Sequence, residues 1–253
     1  MAHPLIITGM HRSGTSFAAE LLQACGLPIG ERLFPGDAGN PRGYFEDEDF
    51  LTLQRRMLQE ACTPGVAGWP DWGWTEGERL DTGAWERHLP EMRALVAQRA
   101  TLPAWGWKDP RTTLLLDHWI RVLPDARLLF VVREPWKVAA SVRRLPSPLF
   151  QQRADVAPRI WAFYNRHVQD FLRAHPERCT VVIMPQLVAD PAGTLHRALT
   201  HLGLPLQVDA PALRAITDAR VQDAAPQDPG EEQRFRTAYP AVVALWEELR
   251  GLA

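Results

Sequence analysis

Gly9 and Gly14 stand five residues apart behind the apolar run Leu5-Ile6-Ile7, and Arg12, Ser13, Thr15 and Ser16 around them all carry donors. This spacing belongs to a glycine loop whose backbone N–H groups, backed by a helix N-terminus, face a phosphate-like anion. In nucleoside triphosphatases a lysine at the place of Thr15 reaches the β- and γ-phosphates. Here the charge comes instead from Arg12, a planar fork of donors suited to one face of a phosphate or sulfate. The segment therefore predicts an anion cradle built for something other than a triphosphate.

Two more segments place cations at the ends of apolar runs. Trp105-Gly106-Trp107 ends at Lys108, and Leu128-Leu129-Phe130-Val131-Val132 ends at Arg133. Only Lys108 and Lys137 among the 28 basic residues are lysines, so a lysine at a strand end was not filled by default. After Pro135, Lys137, Ser141 and Arg144 share one helical face while Val138, Val142 and Leu145 share the opposite one. Taken alone, that pattern also fits an ordinary amphipathic helix with a solvated basic face. Asp109-Pro110 reads as an N-cap with a first-turn proline. Glu46-Asp47-Glu48-Asp49 opens a helix that turns Phe50, Leu53, Met57 and Leu58 inward, and acids at a helix start also suit its dipole.

These groups need a scaffold that brings strand ends together. The chain alternates strands near residues 5–8, 105–107, 127–132 and 179–184 with helices over 15–25, 84–99, 157–174, 191–202 and 241–250. That order predicts an α/β, P-loop-type three-layer fold with a central, mostly parallel sheet flanked by helices. Ligands then bind beyond the carboxyl ends of the strands, where the glycine loop, Lys108 and Arg133 should meet. One domain over 1–253 suffices for 253 residues, with a Trp-rich insertion or lid at about 62–83. That loop carries Trp69, Trp72 and Trp74, which would form an apolar wall for a second substrate. Residues 221 to 233 read as a polar loop before the last helix.

A net charge of −2 excludes a global positive field for nucleic acid or an anionic membrane, so any anion binding must be local. Three scattered cysteines, Cys25, Cys62 and Cys179, show no zinc spacing and no disulfide frame. With no secretion signal and no apolar run near ~20 residues, the expectation is a cytoplasmic protein without a membrane span.

The segments GMHRSGTS, WGWKDPR and LLFVVREPWKVAASVRR, in this order and spacing, resemble the sulfotransferase superfamily that uses 3′-phosphoadenosine 5′-phosphosulfate (PAPS). Asn40 to Asp47, NPRGYFED, is similar to a bacterial branch, and the Lys-Asp-Pro block to tyrosylprotein sulfotransferases. The resemblance covers the first ~150 residues well and the remainder in outline. It implies that Arg12, Ser13, Gly14, Thr15 and Ser16 hold the 5′-phosphosulfate. It further implies that Arg133 and Ser141, joined by Arg144, hold the 3′-phosphate, and that 3′,5′-ADP is the product. The R-K-G-x-x-G-x-W-K segment of cytosolic sulfotransferases is absent, and Met184-Pro185-Gln186 stands where many relatives have Tyr-Glu-Asp.

Sulfuryl transfer passes through a loose, sulfur-trioxide-like state, by analogy with phosphoryl transfer, so alignment and stabilisation of the leaving phosphate dominate catalysis. Lys108 supplies that charge in this reading, and no metal is required. Glu46 is the first choice for the base that takes the acceptor proton; Glu31, Asp47 and His11 are the alternatives. The expected acceptor is a hydroxyl, before an amine, on a small molecule or glycan. A P-loop kinase and a non-catalytic nucleotide-binding protein are the rival readings.

Overall fold

The computed structural model describes residues 3–37, 40, 42–102, 104–222, 228 and 230–253, the side chains of residues 221 and 222 excepted. In chain order the strands are β1 (Leu5–Thr8), β2 (Gly68–Trp69), β3 (Trp74–Thr75), β4 (Gly106–Lys108), β5 (Arg127–Val132) and β6 (Cys179–Ile183). The first helices are α1 (Thr15–Ala24), α2 (Glu48–Ala61), α3 (Leu89–Arg99), α4 (Leu116–Val122), α5 (Pro135–Arg143) and α6 (Pro148–Gln152). They are followed by α7 (Val156–Ala174), α8 (Met184–Ala189), α9 (Pro191–His201), α10 (Ala210–Gln222), α11 (Glu231–Ala238) and α12 (Pro240–Arg250).

The main sheet has the order β4-β1-β5-β6, and every neighbouring pair is parallel. Its strands are buried on both faces, which is why they read as unbroken apolar runs. Side chains still alternate between two cores. Ile6, Leu128, Phe130 and Val132 join the side that holds the tryptophans, α2, α3, α5 and α7. Leu5, Ile7, Leu129 and Val131 join the side that holds α1 and α9. The chain leaves β1 toward β4 on one flank and then crosses to β5 on the other. Such a switch opens a crevice at the carboxyl end of β1.

Local chemistry explains where the elements differ from expectation. The stretch over 84–99 splits into a 3₁₀ turn (Thr82–His88) and α3, because Pro90 has no N–H to continue a helix from the preceding turn. Asp109 caps a 3₁₀ turn (Pro110–Leu114), which precedes α4. Helices α6, α8, α10 and α11 carry no strong sequence signal and were not expected. Of the expected loop over 221–233, residues 221–222 close α10 and 231–233 open α11, while 223–227 and 229 lie outside the described residues.

Segment 62–83 is packed rather than loose. It forms the β2-β3 hairpin around a 3₁₀ turn (Pro70–Trp72), and Trp74 is fully buried. The Tyr164 hydroxyl donates to the Trp72 carbonyl at 2.6 Å, and Trp85 donates to the Met57 carbonyl at 2.8 Å. The physical reason is that indole area is too costly to leave in water, so Gly and Pro in this segment serve the turns while the rings enter the core. Trp72 and Trp74 of this segment are thus held in the core, with Trp69 partly buried beside them. Cys25, Cys62 and Cys179 are buried and unpaired, and no helix among the described residues is long and apolar enough to cross a membrane.

Candidate active site

The glycine loop leaves β1 beside a Thr8–Thr113 hydroxyl pair at 2.8 Å, and the Gly9 N–H donates to Thr113 Oγ1 at 3.0 Å. Gly9 lies so close to β5 that an added Cβ would sit 2.3 Å from the Val131 carbonyl oxygen. Arg12 (φ 66°) and Gly14 (φ 92°) both take the left-handed conformation, which folds the loop back over the start of α1. No acidic side chain occupies the first turn of α1, and Gly14 gives it no side-chain cap. Ser13 Oγ is buried without a hydrogen-bond partner among the described residues. An orphaned buried hydroxyl costs about 1–3 kcal/mol unless something meets it. The loop therefore has the uncapped helix end and the unmet donor that an anion would satisfy.

Ser16 Oγ donates to the Tyr44 carbonyl at 3.1 Å, and Lys108 Nζ donates to the same oxygen at 2.9 Å. Left-handed Gly43 and Phe45 (φ 94° and 57°) shape the turn that presents it. Lys108, only 1% exposed, also pairs with Glu46 Oε1 at 2.6 Å. Arg111 Nη1 stands 3.5 Å from Glu46 Oε2 and 3.2 Å from Asp109 Oδ1. Its Nη2 reaches Asp71 Oδ2 at 2.7 Å, so the base candidate is tied to the Trp-rich segment. Burial opposes the Arg111 charge, but Asp109, Glu46 and Asp71 outweigh it and hold its pKa above the usual range. Burial pushes the Asp109 carboxyl up to about 6, against the pull of Arg111. Asp109 also caps the Arg111 N–H at 2.8 Å and accepts from Gln54 at 2.9 Å, which is the capping role its sequence context predicted.

On the other side of the loop, Arg12 Nε donates to Ser141 Oγ at 2.9 Å, and Arg133 Nη1 donates to the Arg12 carbonyl at 3.2 Å. Burial lowers the pKa of both arginines, and the nearby Arg144 charge lowers them further. A desolvated guanidinium cluster of this kind favours an anion. Arg144 itself is exposed at the end of α5, and Lys137 pairs with Glu134 at 2.6 Å. Arg220 of α10 also lines the cavity, held by Glu20 at 2.6 Å with its guanidinium 5.6 Å from the Phe17 ring centroid. Its Nη2 is buried with no hydrogen-bond partner among the described residues. Sequence reasoning missed Arg220, since no motif surrounds it.

These groups share one cavity of about 430 Å³, which Arg12, Gly14, Thr15, Ser16, Arg133 and Ser141 line together with Lys108 and Glu46. Ser13 lies beneath it and Arg144 outside it. His11 stacks on Trp72 with ring centroids 4.2 Å apart and planes 7° apart. Burial, then the Arg111, Lys108 and Arg12 charges, hold its imidazole well below the usual histidine range, so it is neutral near pH 7. Glu31 is exposed and 3.6 Å from Arg99, while Asp47 caps α2 and pairs with Arg99 at 3.0 Å. Neither lines the cavity. Trp69 and Trp72 form its apolar edge, whereas Trp74, Trp85, Trp105 and Trp107 are core.

Residues 4–208 match the profile of the sulfotransferase family. Among solved structures, the sulfotransferase domain from the Synechococcus PCC 7002 olefin synthase is 21% identical, covers 99% of this chain and 96% of its own, and has a TM-score of 0.56. A sulfotransferase from Alicyclobacillus acidocaldarius is 16% identical over 98% of this chain and 96% of its own, with a TM-score of 0.56. Sulfotransferase STF1 from Mycobacterium tuberculosis is 20% identical over 100% of this chain and 77% of its own, with a TM-score of 0.54. At these identities the likeness shows a common fold, an α/β domain with a parallel sheet flanked by helices. No curated protein matches the sequence significantly.

Proposed function

Because the chain belongs to the sulfotransferase family, we propose that it moves the sulfuryl group of PAPS onto a hydroxyl of a small molecule or glycan. The observation that carries this reading is the buried Lys108–Glu46 pair, 2.6 Å apart at the mouth of the glycine loop and joined to Ser16 through the Tyr44 carbonyl. One cation and one carboxylate are the two groups that a loose sulfuryl transfer asks of a protein. The residues also fit the donor. The uncapped α1 N-terminus and Arg12 suit the phosphosulfate, while Arg133 and Ser141, which line the same cavity, suit the 3′-phosphate.

PAPS supplies an activated sulfuryl group on a stable phosphate leaving group. Glu46 accepts the proton of the acceptor hydroxyl, whose oxygen forms the new O–S bond as the S–O bond to the 5′-phosphate breaks. Lys108 stabilises the electron pair that stays on that phosphate in 3′,5′-ADP. As the Glu46 carboxylate takes the proton, its hold on Lys108 weakens and the ammonium turns toward the new charge. Arg111 keeps Glu46 positioned through this exchange by its contacts to Asp109 and Asp71. No metal ion is needed in this scheme. Binding of 3′,5′-ADP in chelator, followed by transfer of labelled sulfate from PAPS to an acceptor mixture, tests it. Loss of nucleotide binding in the absence of magnesium would point to a kinase-like site.

A further inference from the structure

His11 stands where the glycine loop meets the tryptophan-rich segment, and the scheme above gives it no task. Its backbone belongs to the loop between β1 and α1, while its ring lies flat on Trp72. Phe150 stacks on Trp72 in turn at 5.4 Å, and Tyr164 meets the imidazole edge-on at 5.9 Å. The Tyr164 hydroxyl also holds the Trp72 carbonyl, so the imidazole rests on a fixed support. His11 is only 8% exposed, yet it lines the same cavity as Arg12, Lys108 and Glu46. A buried polar side chain normally has its hydrogen-bonding atoms met. Here Nε2 is sealed with no partner among the described residues, while Nδ1 is not sealed in this way. A sealed N–H without an acceptor is rarer than a sealed lone pair, so the hydrogen-bond pattern assigns the proton of the neutral ring to Nδ1. That N–H is left to serve the cavity.

Electrostatics favour a neutral donor at this place. Burial and the charges of Arg111, Lys108 and Arg12 keep the ring uncharged near pH 7. In bound PAPS the three sulfuryl oxygens share one negative charge. As the S–O bond to the 5′-phosphate breaks, that charge passes to the phosphate and the sulfuryl group approaches neutral sulfur trioxide. A cation aimed at the sulfuryl oxygens would therefore favour the ground state over the transition state. A neutral N–H orients them with little of that penalty.

We propose, resting on the sulfotransferase reading, that His11 is a further catalytic residue, whose Nδ1–H donates to a sulfuryl oxygen of PAPS and holds the group in line between the 5′-phosphate and the acceptor hydroxyl. Its proton stays on the ring throughout. The acceptor oxygen forms the new O–S bond and gives its proton to Glu46, and the electron pair of the broken S–O bond stays on the 5′-phosphate beside Lys108. Trp72 is a positioning residue in this arrangement, because it carries the imidazole.

Four variants separate the N–H from the ring. His11→Phe keeps a ring for the stack and loses the N–H. His11→Asn keeps an amide N–H near the place of Nδ1 and loses the ring, His11→Gln puts its amide nearer the place of Nε2, and His11→Ala has neither. Calorimetry with PAPS and with 3′,5′-ADP, both without acceptor, is read beside kcat with labelled PAPS. The Phe, Gln and Ala variants should bind PAPS about 3- to 10-fold more weakly, with unchanged affinity for 3′,5′-ADP, which has no sulfuryl group. They should lose about 10²-fold in kcat, and Asn should recover at least about tenfold of it. Asparagine is no base, so its recovery also separates this role from proton acceptance. A ring needed only for packing gives the reverse order, with Phe near the wild type and Asn no better than Ala. That order, or equal losses of PAPS and 3′,5′-ADP affinity, would overturn the proposal. If the Phe variant does not fold, Asn against Ala decides, since both lack the ring and equal kcat in the two overturns it. Failure of the unaltered protein to bind 3′,5′-ADP would instead count against the sulfotransferase reading beneath it.

Discussion

Lys108 and Glu46 contribute to both stability and the proposed chemistry, and a double-mutant cycle separates the two. Both are buried, at 1% and 4% exposure, with 2.6 Å between Nζ and Oε1. Lys108→Met leaves the carboxylate with Arg111 alone, 3.5 Å away. Glu46→Gln leaves the ammonium with the Tyr44 carbonyl at 2.9 Å and one amide oxygen. A buried charge deprived of its partner costs about 3–5 kcal/mol, with the glutamine variant at the low end because it keeps an acceptor. For a chain of this size, about 2–4 °C per kcal/mol makes the expected fall in melting temperature roughly 6–20 °C. The double variant removes both charges, so its loss should fall short of the sum of the two single losses by a coupling of about 0.5–3 kcal/mol. Turnover should not follow stability. Each single variant should lose about 10²-fold or more in kcat, and the double should regain none of it, with 3′,5′-ADP affinity nearly unchanged. Thermal melts, nucleotide calorimetry and labelled-PAPS turnover on the four proteins read all three quantities. Additive melting losses, or turnover recovered in the double variant, would refute the reasoning.

The remaining predictions concern the nucleotide and pH. Arg133→Ala should weaken 3′,5′-ADP binding by roughly 10- to 150-fold while barely changing 5′-AMP binding, since one charge-assisted contact is worth about 1.5–3 kcal/mol; equal losses for both nucleotides would remove Arg133 from the 3′-phosphate. Arg220→Ala should weaken 3′,5′-ADP by about tenfold, because its buried Nη2 has no other partner among the described residues; unchanged affinity would confine it to its Glu20 contact. Asp109 has a pKa raised from 3.8 to about 6, so the folded state holds a proton there that the unfolded state releases. Its contribution to stability is then greatest at low pH and falls as pH rises from about 4 to 6. The wild-type stability measured against Asp109→Asn should decline across that window and level off above it, and a difference that grew with pH would contradict the raised pKa.

What the sequence determined by itself was local. Glycine spacing, apolar strands with a cation at each end and an Asp-Pro cap follow from backbone sterics, burial and capping, and each is written within a dozen residues. From these the parallel sheet and the meeting of the glycine loop, Lys108 and Arg133 at its carboxyl edge were legible. Tertiary structure decided which acids faced that edge. Four consecutive acids, Glu46 to Asp49, straddle the start of α2, and the tertiary packing is what puts Glu46 on Lys108 while Asp47 turns to Arg99. The same holds for the tryptophans. Hydrophobic area drives all of them inward, but only the packing of α2, α7 and the β2-β3 hairpin puts Trp72 against His11 and leaves Trp69 at the rim. Arg220 lies far from the glycine loop in sequence and reaches its cavity through the packing of α10 on α1, a long-range contact that a residue's neighbours in the chain do not encode.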